Sequence, residues 1–460
     1  MNIRAKSDRQ DMLHGSLWNK LLMFAAPVAA TAILEQLFNA SDIAVVGNFT
    51  GAGKTVAVAA VSANSAVIAL IVNLFVGIAL GANVVIANAI GRDDSETVKK
   101  AVHTSVLISL IVGTAVAIIG ELAAGTLLHS LNVPDDVFPS ALLYLRIYLL
   151  GMPVILLYNF ESAIFRSVGD TRTPLIALAV SGILNVILNL VFVAVFRMTV
   201  NGVAIATVIS NLVSSALLFK RLCRTNQSIH IDIKSLRIDT KKLTRIMQIG
   251  LPAGIQSAVF AVSNIVIQAA INSLGTVVMA ASGAAYNIEI FNYDILNAFS
   301  QACTTFVGQN SGAGNMHRCR KTFALCLAEG FVILASALTL ILFFGKNLLA
   351  VFNNDSEVVS IGYQRLLIVM IAHSFSFFYE VMSGYLRGFG ISLVPAILTT
   401  VGVCGVRIAW IKFVFPKSET FRTIMTAYPI SLSVTALMIF VALFCYHPSR
   451  RFKKEGDGNE

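Results

Sequence analysis

The chain says the same thing twice. Lys20-Leu-Leu-Met-Phe-Ala-Ala-Pro27 returns as Arg245-Ile-Met-Gln-Ile-Gly-Leu-Pro252, and Gly91-Arg92 with Lys99-Lys100 returns as Gly312-Ala313 with Arg320-Lys321. Tyr144-Leu-Arg146 returns as Tyr363-Gln-Arg365. Arg166-Ser-Val-Gly169 followed by Pro174 returns as Arg387-Gly-Phe-Gly390 followed by Pro395. The offset drifts only between about 219 and 225 residues. Duplicated apolar units are characteristic of carriers, in which two related bundles alternate around a midplane site.

Composition places those units in a membrane. Hydrophobic residues make up 56% and charged ones 13%, against roughly 25% charged in a soluble domain. Apolar stretches of about 20 residues suffice to cross a hydrocarbon core of about 30 Å. A soluble reading would require a dozen fully buried helices in one domain. The six cysteines (223, 303, 319, 326, 404 and 445) form no CxxC pair and show no zinc spacing, so neither disulfides nor a structural metal is expected. The first segment follows Arg4, Lys6 and Arg9 and has an Ala-x-Ala-like run around Ala29–Ala32. It is expected not to be a leader, because it continues past that run and matches the start of the second half.

Apolar windows predict an all-α integral membrane protein of twelve spans, near 16–40, 55–88, 99–126, 139–163, 174–196, 201–222, 243–271, 277–308, 321–345, 360–385, 392–415 and 421–446. The second and eighth are long for one crossing, so tilt or extension beyond the membrane is expected. With both termini cytoplasmic, that side holds 25 of the 34 basic residues: Arg4, Lys6, Arg9, Lys20, Arg450, Arg451, Lys453 and Lys454 at the ends, eight between Lys220 and Arg245, and the rest in loops at 92–100, 166–172, 318–321 and Arg387. The opposite side holds eight (Lys54, Arg146, Arg197, Lys346, Arg365, Lys412, Lys417, Arg422) with Asp135-Asp136 and Asp355-Ser-Glu357, and Arg407 lies within a span. The net charge of +10 then reflects this bias and contact with anionic lipid, and calls for no nucleic acid. Residues 1–222 form the expected first lobe, 223–242 a polar cytoplasmic linker, and 243–460 the second lobe with a basic tail. Six spans per lobe make the repeat parallel, about an axis along the membrane normal.

Polar groups inside spans cost roughly 3 kcal/mol each on insertion scales and face a cavity or a partner. The first span carries Glu35, Gln36, Asn39 and Asp42, with Glu35, Asn39 and Asp42 on one face. Asp42 is flanked by apolar sequence; the plainer reading is a cap or frayed end near the outer surface. The fifth span has Asn185 and Asn189 one turn apart, which alone read as interhelical glue and beside Asp42 as oxygen donors. In the eighth span Asn287, Asp294, Asn297 and Gln301 share a stripe, with Glu289 and Asn292 beside it, and substrate contact and simple hydration weigh equally. Arg407 is expected to pair with a carboxylate, Glu380 or Glu289. Glu161 and Glu380 are expected to bridge Arg166 and Arg387 at headgroup level. Glu121, Glu329 and His373 stay unassigned, and the histidine reads as hydrogen-bonded structure.

Pro27, the Leu37-Phe-Asn-Ala-Ser-Asp42 run, and Tyr158-Asn-Phe-Glu-Ser-Ala-Ile-Phe-Arg-Ser-Val-Gly-Asp-Thr171 resemble the multidrug and toxic compound extrusion (MATE) family. So do Phe306-Val-Gly-Gln-Asn310-Ser-Gly-Ala-Gly-Asn315 and Leu386-Arg-Gly388. The resemblance spans about residues 15 to 445 and is closest to the DinF-like bacterial and archaeal branch. It implies two six-helix lobes forming a V, and export of cationic lipophilic compounds driven by Na⁺ or H⁺ entry, without another cofactor. In that branch the coupling centre lies in the first lobe, and its carboxylate, asparagine and threonine match Asp42, Asn185 and Thr207. Where the branch often has a second carboxylate, this chain has Asn189. A Na⁺ beside one carboxylate is neutralised, and the oxygens of Asp42, Asn185, Asn189 and Thr207 suit a hard cation. A proton requires only the Asp42 carboxyl, with Glu35 as substitute acid.

The resulting expectation is a monomeric antiporter of the bacterial inner membrane that binds small organic cations and lipid. Gln36, Asn39, Glu289, Asp294, Asn297 and Arg407 are its candidate cavity residues. Pro27, which removes a backbone hydrogen bond, is the candidate hinge. The rival within the superfamily is a flippase for lipid-linked sugars, which calls for a deeply cationic cavity. A major-facilitator carrier is disfavoured because Gly91-Arg-Asp-Asp-Ser95 does not fit its loop motif. An enzyme is disfavoured because no metal set or nucleophile with a base is visible.

Overall fold

The computed structural model describes residues 10–50, 53–131 and 133–448, and every regular element among them is helical. The termini carrying Arg4, Lys6, Arg9, Arg450, Arg451, Lys453 and Lys454 lie outside the described residues. The elements are α1 (Trp18–Phe49), α2 (Lys54–Gly91), α3 (Ser95–Ser130), α4 (Phe138–Leu150), α5 (Met152–Ser167), α6 (Arg172–Leu190) and α7 (Val200–Arg224). Then follow α8 (Thr240–Asn272), α9 (Thr276–Gly312), α10 (Met316–Ala350), α11 (Ser356–Gly388), α12 (Leu393–Thr399), α13 (Val406–Phe413) and α14 (Phe421–Tyr446).

Among the described residues ten helical stretches are long and apolar enough to cross a membrane, and the bent pair α4–α5 makes an eleventh. The remaining span of the twelve, α9, is long enough at 37 residues but too polar to pass on composition. Its Asn287, Glu289, Asn292, Asp294, Asn297 and Gln301 are the reason. The 38 residues of α2 extend about 57 Å at 1.5 Å per residue, well beyond the hydrocarbon core.

Three expected spans differ from simple rods. The fourth, expected at 139–163, breaks at Gly151 and bends by 51°. Pro153 has no N–H to continue the helical ladder, and α3 passes so close that a Cβ on Gly113 would stand 2.5 Å from the Pro153 Cα. The fifth ends in a π-turn at Val191–Val195. The eleventh, expected at 392–415, is interrupted by a π-turn at Thr400–Gly405 between α12 and α13. The first span, expected at 16–40, runs on to Phe49, so Asp42 is a mid-helix residue and neither a cap nor a frayed end.

The described chain forms two compact units. One is built from Ala30–Leu251; the other from Asp11–Ala29 with the described residues from Pro252 on. Helices α1 and α8 are thus each divided between units, one just beyond Pro27 and the other at Pro252, the two repeat-related prolines inside helices. In the first unit α2 and α8 meet backbone to backbone. A Cβ on Gly81 would lie 2.3 Å from the Ile246 carbonyl, and one on Gly250 2.6 Å from the Ile78 backbone, a close approach that small residues permit. In the second unit α9 and α11 approach similarly. Ser300 donates to the Glu380 carbonyl (2.8 Å) and Thr304 to that of Gly384 (3.1 Å). Before α1, residues 12–15 are held to the start of α10 by Arg318, whose Nε and Nη atoms donate to the carbonyls of Met12, Gly15 and His14 at 2.9–3.0 Å.

Candidate functional site

In the first unit the helical periods of α1, α6 and α7 bring four predicted residues into one hydrogen-bonded group. Asn185 and Asn189 share a face of α6 because they are one turn apart, and both are buried. Asn189 Nδ2 donates to Asp42 Oδ1 (2.6 Å) and to Asn185 Oδ1 (3.1 Å). Thr207 Oγ1 lies 3.1 Å from Asp42 Oδ2 and 3.0 Å from the Val203 carbonyl, and it accepts from Asn185 Nδ2 at 3.4 Å. Asp42 is only 5% exposed, yet it makes no ion pair among the described residues. A carboxylate met solely by neutral donors, inside an apolar helix, has an open charge balance, which a proton or a monovalent cation closes. Asn189 Oδ1 is buried with no hydrogen-bond partner among the described residues.

The rest of the α1 stripe does not join this group. Glu35 and Asn39 are exposed and Gln36 is half-buried, and none of them bonds Asp42. In the same unit Glu121 pairs with Arg146 (3.5 Å). Glu161 accepts from Ser215 Oγ (2.9 Å).

The second unit corrects the expected charge pairing. Arg365, counted from sequence among the charges of the outer loops, is 3% exposed inside α11. Its Nε and Nη2 grip Glu289 Oε1 and Oε2 at 2.8 Å each, and Nη1 reaches Ser282 Oγ. Glu289 is therefore not the partner of Arg407. Glu380 is not either: it lies 3.8 Å from Arg387, and both side chains are buried rather than at the surface. Arg407 donates from Nε to Ser431 Oγ (3.1 Å) and stacks its guanidinium over the Tyr428 ring at 4.2 Å. Two carboxylates were expected to compete for one arginine; each is held by a nearer one. Asp294 and Asn297 are half-buried on α9 and do not partner Arg365 or Arg407. His373 is hydrogen-bonded to Asn292 (3.2 Å). Sequence reasoning missed Arg365 and Ser282. The signal was there: Arg365 falls inside the span expected at 360–385 and is the tenth residue of α11, which begins at Ser356. No group of three or more His, Cys, Asp or Glu residues suited to a metal occurs among the described residues.

Comparison with known proteins agrees with this architecture. The chain is 24% identical over 434 residues to the probable multidrug resistance protein YoeA of Bacillus subtilis, covering 92% of this chain and 93% of the relative. It is 24% identical over 406 residues to the probable multidrug resistance protein NorM of Thermotoga maritima (86% and 85%). Among solved structures, the outward-facing conformation of a multidrug resistance MATE family transporter of the MOP superfamily superposes with a TM-score of 0.86 at 21% identity, over 96% of this chain and 98% of that one. The MatE family model matches twice, at residues 27–191 and 252–411, each match opening on one of the paired prolines. The chain belongs to the MatE family.

Proposed function

We propose that this protein is a secondary antiporter of the bacterial inner membrane, with both termini cytoplasmic, which exports lipophilic organic cations in exchange for H⁺ or Na⁺. The multidrug names of its relatives support the export role. The observation that carries the coupling is Asp42, a buried carboxylate held by the neutral donors Asn189 and Thr207 and in no ion pair among the described residues. Half a turn of the Asn189 amide exchanges a donor for an oxygen, which converts the same group from a proton site to a four-oxygen cation site. Glu35, Gln36 and Asn39 line the way to Asp42 along α1 and serve as its access and substrate face. Asp294 and Asn297 belong to that same cavity reading. Glu289 is neutralised by Arg365 and leaves the list of cation contacts.

Occupation of Asp42 repacks α1 about Pro27, where the helical ladder lacks one hydrogen bond. The division of α1 just beyond Pro27 supports that hinge. Ion and substrate are coupled because each favours a different arrangement of one equilibrium. The proposed domains are the repeat lobes 1–222 and 243–460, joined by 223–242.

The test is ethidium efflux from proteoliposomes under separately imposed Na⁺ and H⁺ gradients, for wild type and Asp42→Asn. One gradient is expected to drive efflux in wild type and neither in the variant. Wild-type efflux by Asp42→Asn refutes the site. Folded wild type inert under both gradients moves the assignment to a lipid flippase.

A further inference from the structure

The Asp42 group has a counterpart in the second unit, and its polarity is reversed. The offset between Pro27 and Pro252 carries Asp42 to Ile267, and the register is supported by burial: Val45 and Val46 match Ala270 and Ile271, all four buried. Between α7 and α14 an offset of 221, under which buried Val203, Ala204, Ala206 and Ser210 match buried Ile424, Met425, Ala427 and Ser431, carries Thr207 to Tyr428. Between α6 and α12 the same offset pairs Leu178 with Thr399 and Gly182 with Val403. Beyond the π-turn at Thr400–Gly405 it grows by one, pairing Val193 with Phe415 and Asn185 with Arg407. A π-turn absorbs one extra residue in a helix and is frequent at functional sites. In this register, with the π-turn counted as one extra residue, Arg407 is the counterpart of Asn185.

The geometry matches the alignment. Asn185 reaches Thr207 (3.4 Å) as Arg407 covers Tyr428, and Ile267, Val403 and Tyr428 pack in one buried cluster. Asp42 has thus become an isoleucine, and an amide has become a guanidinium. The charges do not close. Glu289 spends both oxygens on Arg365, whose guanidinium also stands over Tyr428 at 5.8 Å, and Glu380 faces Arg387. Arg407, 5% exposed, has no carboxylate partner among the described residues, and its hydrogen bond there runs from Nε to Ser431 Oγ. A buried guanidinium held only by a hydroxyl and a ring is under-compensated. Its planar fork matches a carboxylate or phosphate.

We infer that Arg407, with Tyr428 and Ser431, forms a binding site for an anionic carboxylate or phosphate group, the charge-reversed counterpart of the Asp42 site. This site does not depend on ion coupling at Asp42, and it is tested by equilibrium binding rather than transport. Purified full-length protein is titrated with inorganic phosphate in neutral detergent at constant ionic strength. In parallel it is placed in nanodiscs of phosphatidylcholine with and without phosphatidylglycerol. The readouts are Trp410 fluorescence, one turn from Arg407, and the thermal midpoint. Wild type is expected to respond in at least one arm: phosphate alone identifies a free anion, phosphatidylglycerol alone a lipid headgroup. Arg407→Gln is expected to weaken the response about tenfold or more, the loss of about 1.4 kcal/mol. Ile267→Asp keeps Arg407 but supplies an internal carboxylate, so it is expected to abolish the response with the fold intact. If Arg407→Gln fails to fold, Ile267→Asp decides. A wild type indifferent in both arms, or either folded variant responding like wild type, overturns the inference.

Discussion

Replacing Glu289 by Gln keeps the shape of the second unit's core and removes one charge. Arg365 then loses a bidentate partner at 2.8 Å and 2.8 Å and stays 3% exposed, with Ser282 and the Tyr286 and Tyr428 rings as its remaining company. Breaking a buried pair from one side costs about 3–5 kcal/mol, because the orphaned charge remains desolvated. For a unit of this size that is about 6–20 °C in Tm. The second half of the experiment removes both charges. Glu289→Leu with Arg365→Met leaves no charge to desolvate, and apolar replacement of a buried pair is often neutral or stabilising. The double variant is therefore expected within about 3 °C of wild type or above it, scaled by the same conversion. With Glu289→Leu and Arg365→Met also measured as single variants, the coupling energy is then at least about 2 kcal/mol in a double-mutant cycle. The assay is thermal unfolding of purified protein in detergent, followed by intrinsic fluorescence. A loss under about 2 °C for Glu289→Gln, or a double variant as unstable as both singles combined, refutes the reading that this pair is a closed structural element.

Two further outcomes follow from local geometry. Gly81→Ala is expected to destabilise by about 1–3 kcal/mol, since its Cβ would sit 2.3 Å from the Ile246 carbonyl; Gly125→Ala, which meets nothing within 4 Å, is expected to be neutral or stabilising, and equal thermal midpoints refute the contrast. Asp94 caps α3 through Thr97, whose side-chain and backbone hydrogen bonds hold the Asp94 carboxyl below its ordinary value near 3.8. With the folded value depressed, its contribution is present above that ordinary value and is lost as pH falls through the folded one. Asp94→Ala is expected to lower the thermal midpoint at pH 7, and the gap to wild type is expected to narrow only as pH falls below the ordinary value near 3.8; a gap independent of pH refutes the cap.

Much of this molecule was legible as a string. Hydropathy and repetition are local, additive properties, so the duplicated apolar unit, its spans and the shared α6 face of Asn185 and Asn189 follow from spacing alone. Asp42 was conspicuous for the same reason, being an acid within apolar sequence. Which charges meet was not legible, because that depends on the rotation and depth of one helix against another. In sequence Arg365 reads as an outer-side charge and Arg407 as the buried one in need of a carboxylate, yet α9 turns Glu289 to Arg365, while Arg407 meets Tyr428 and Ser431. The break at Gly151 and the π-turn at Thr400–Gly405 belong to the same class. A single residue of slippage rotates everything beyond it by about 100° of helix, and only packing against neighbouring helices decides where that slippage is placed.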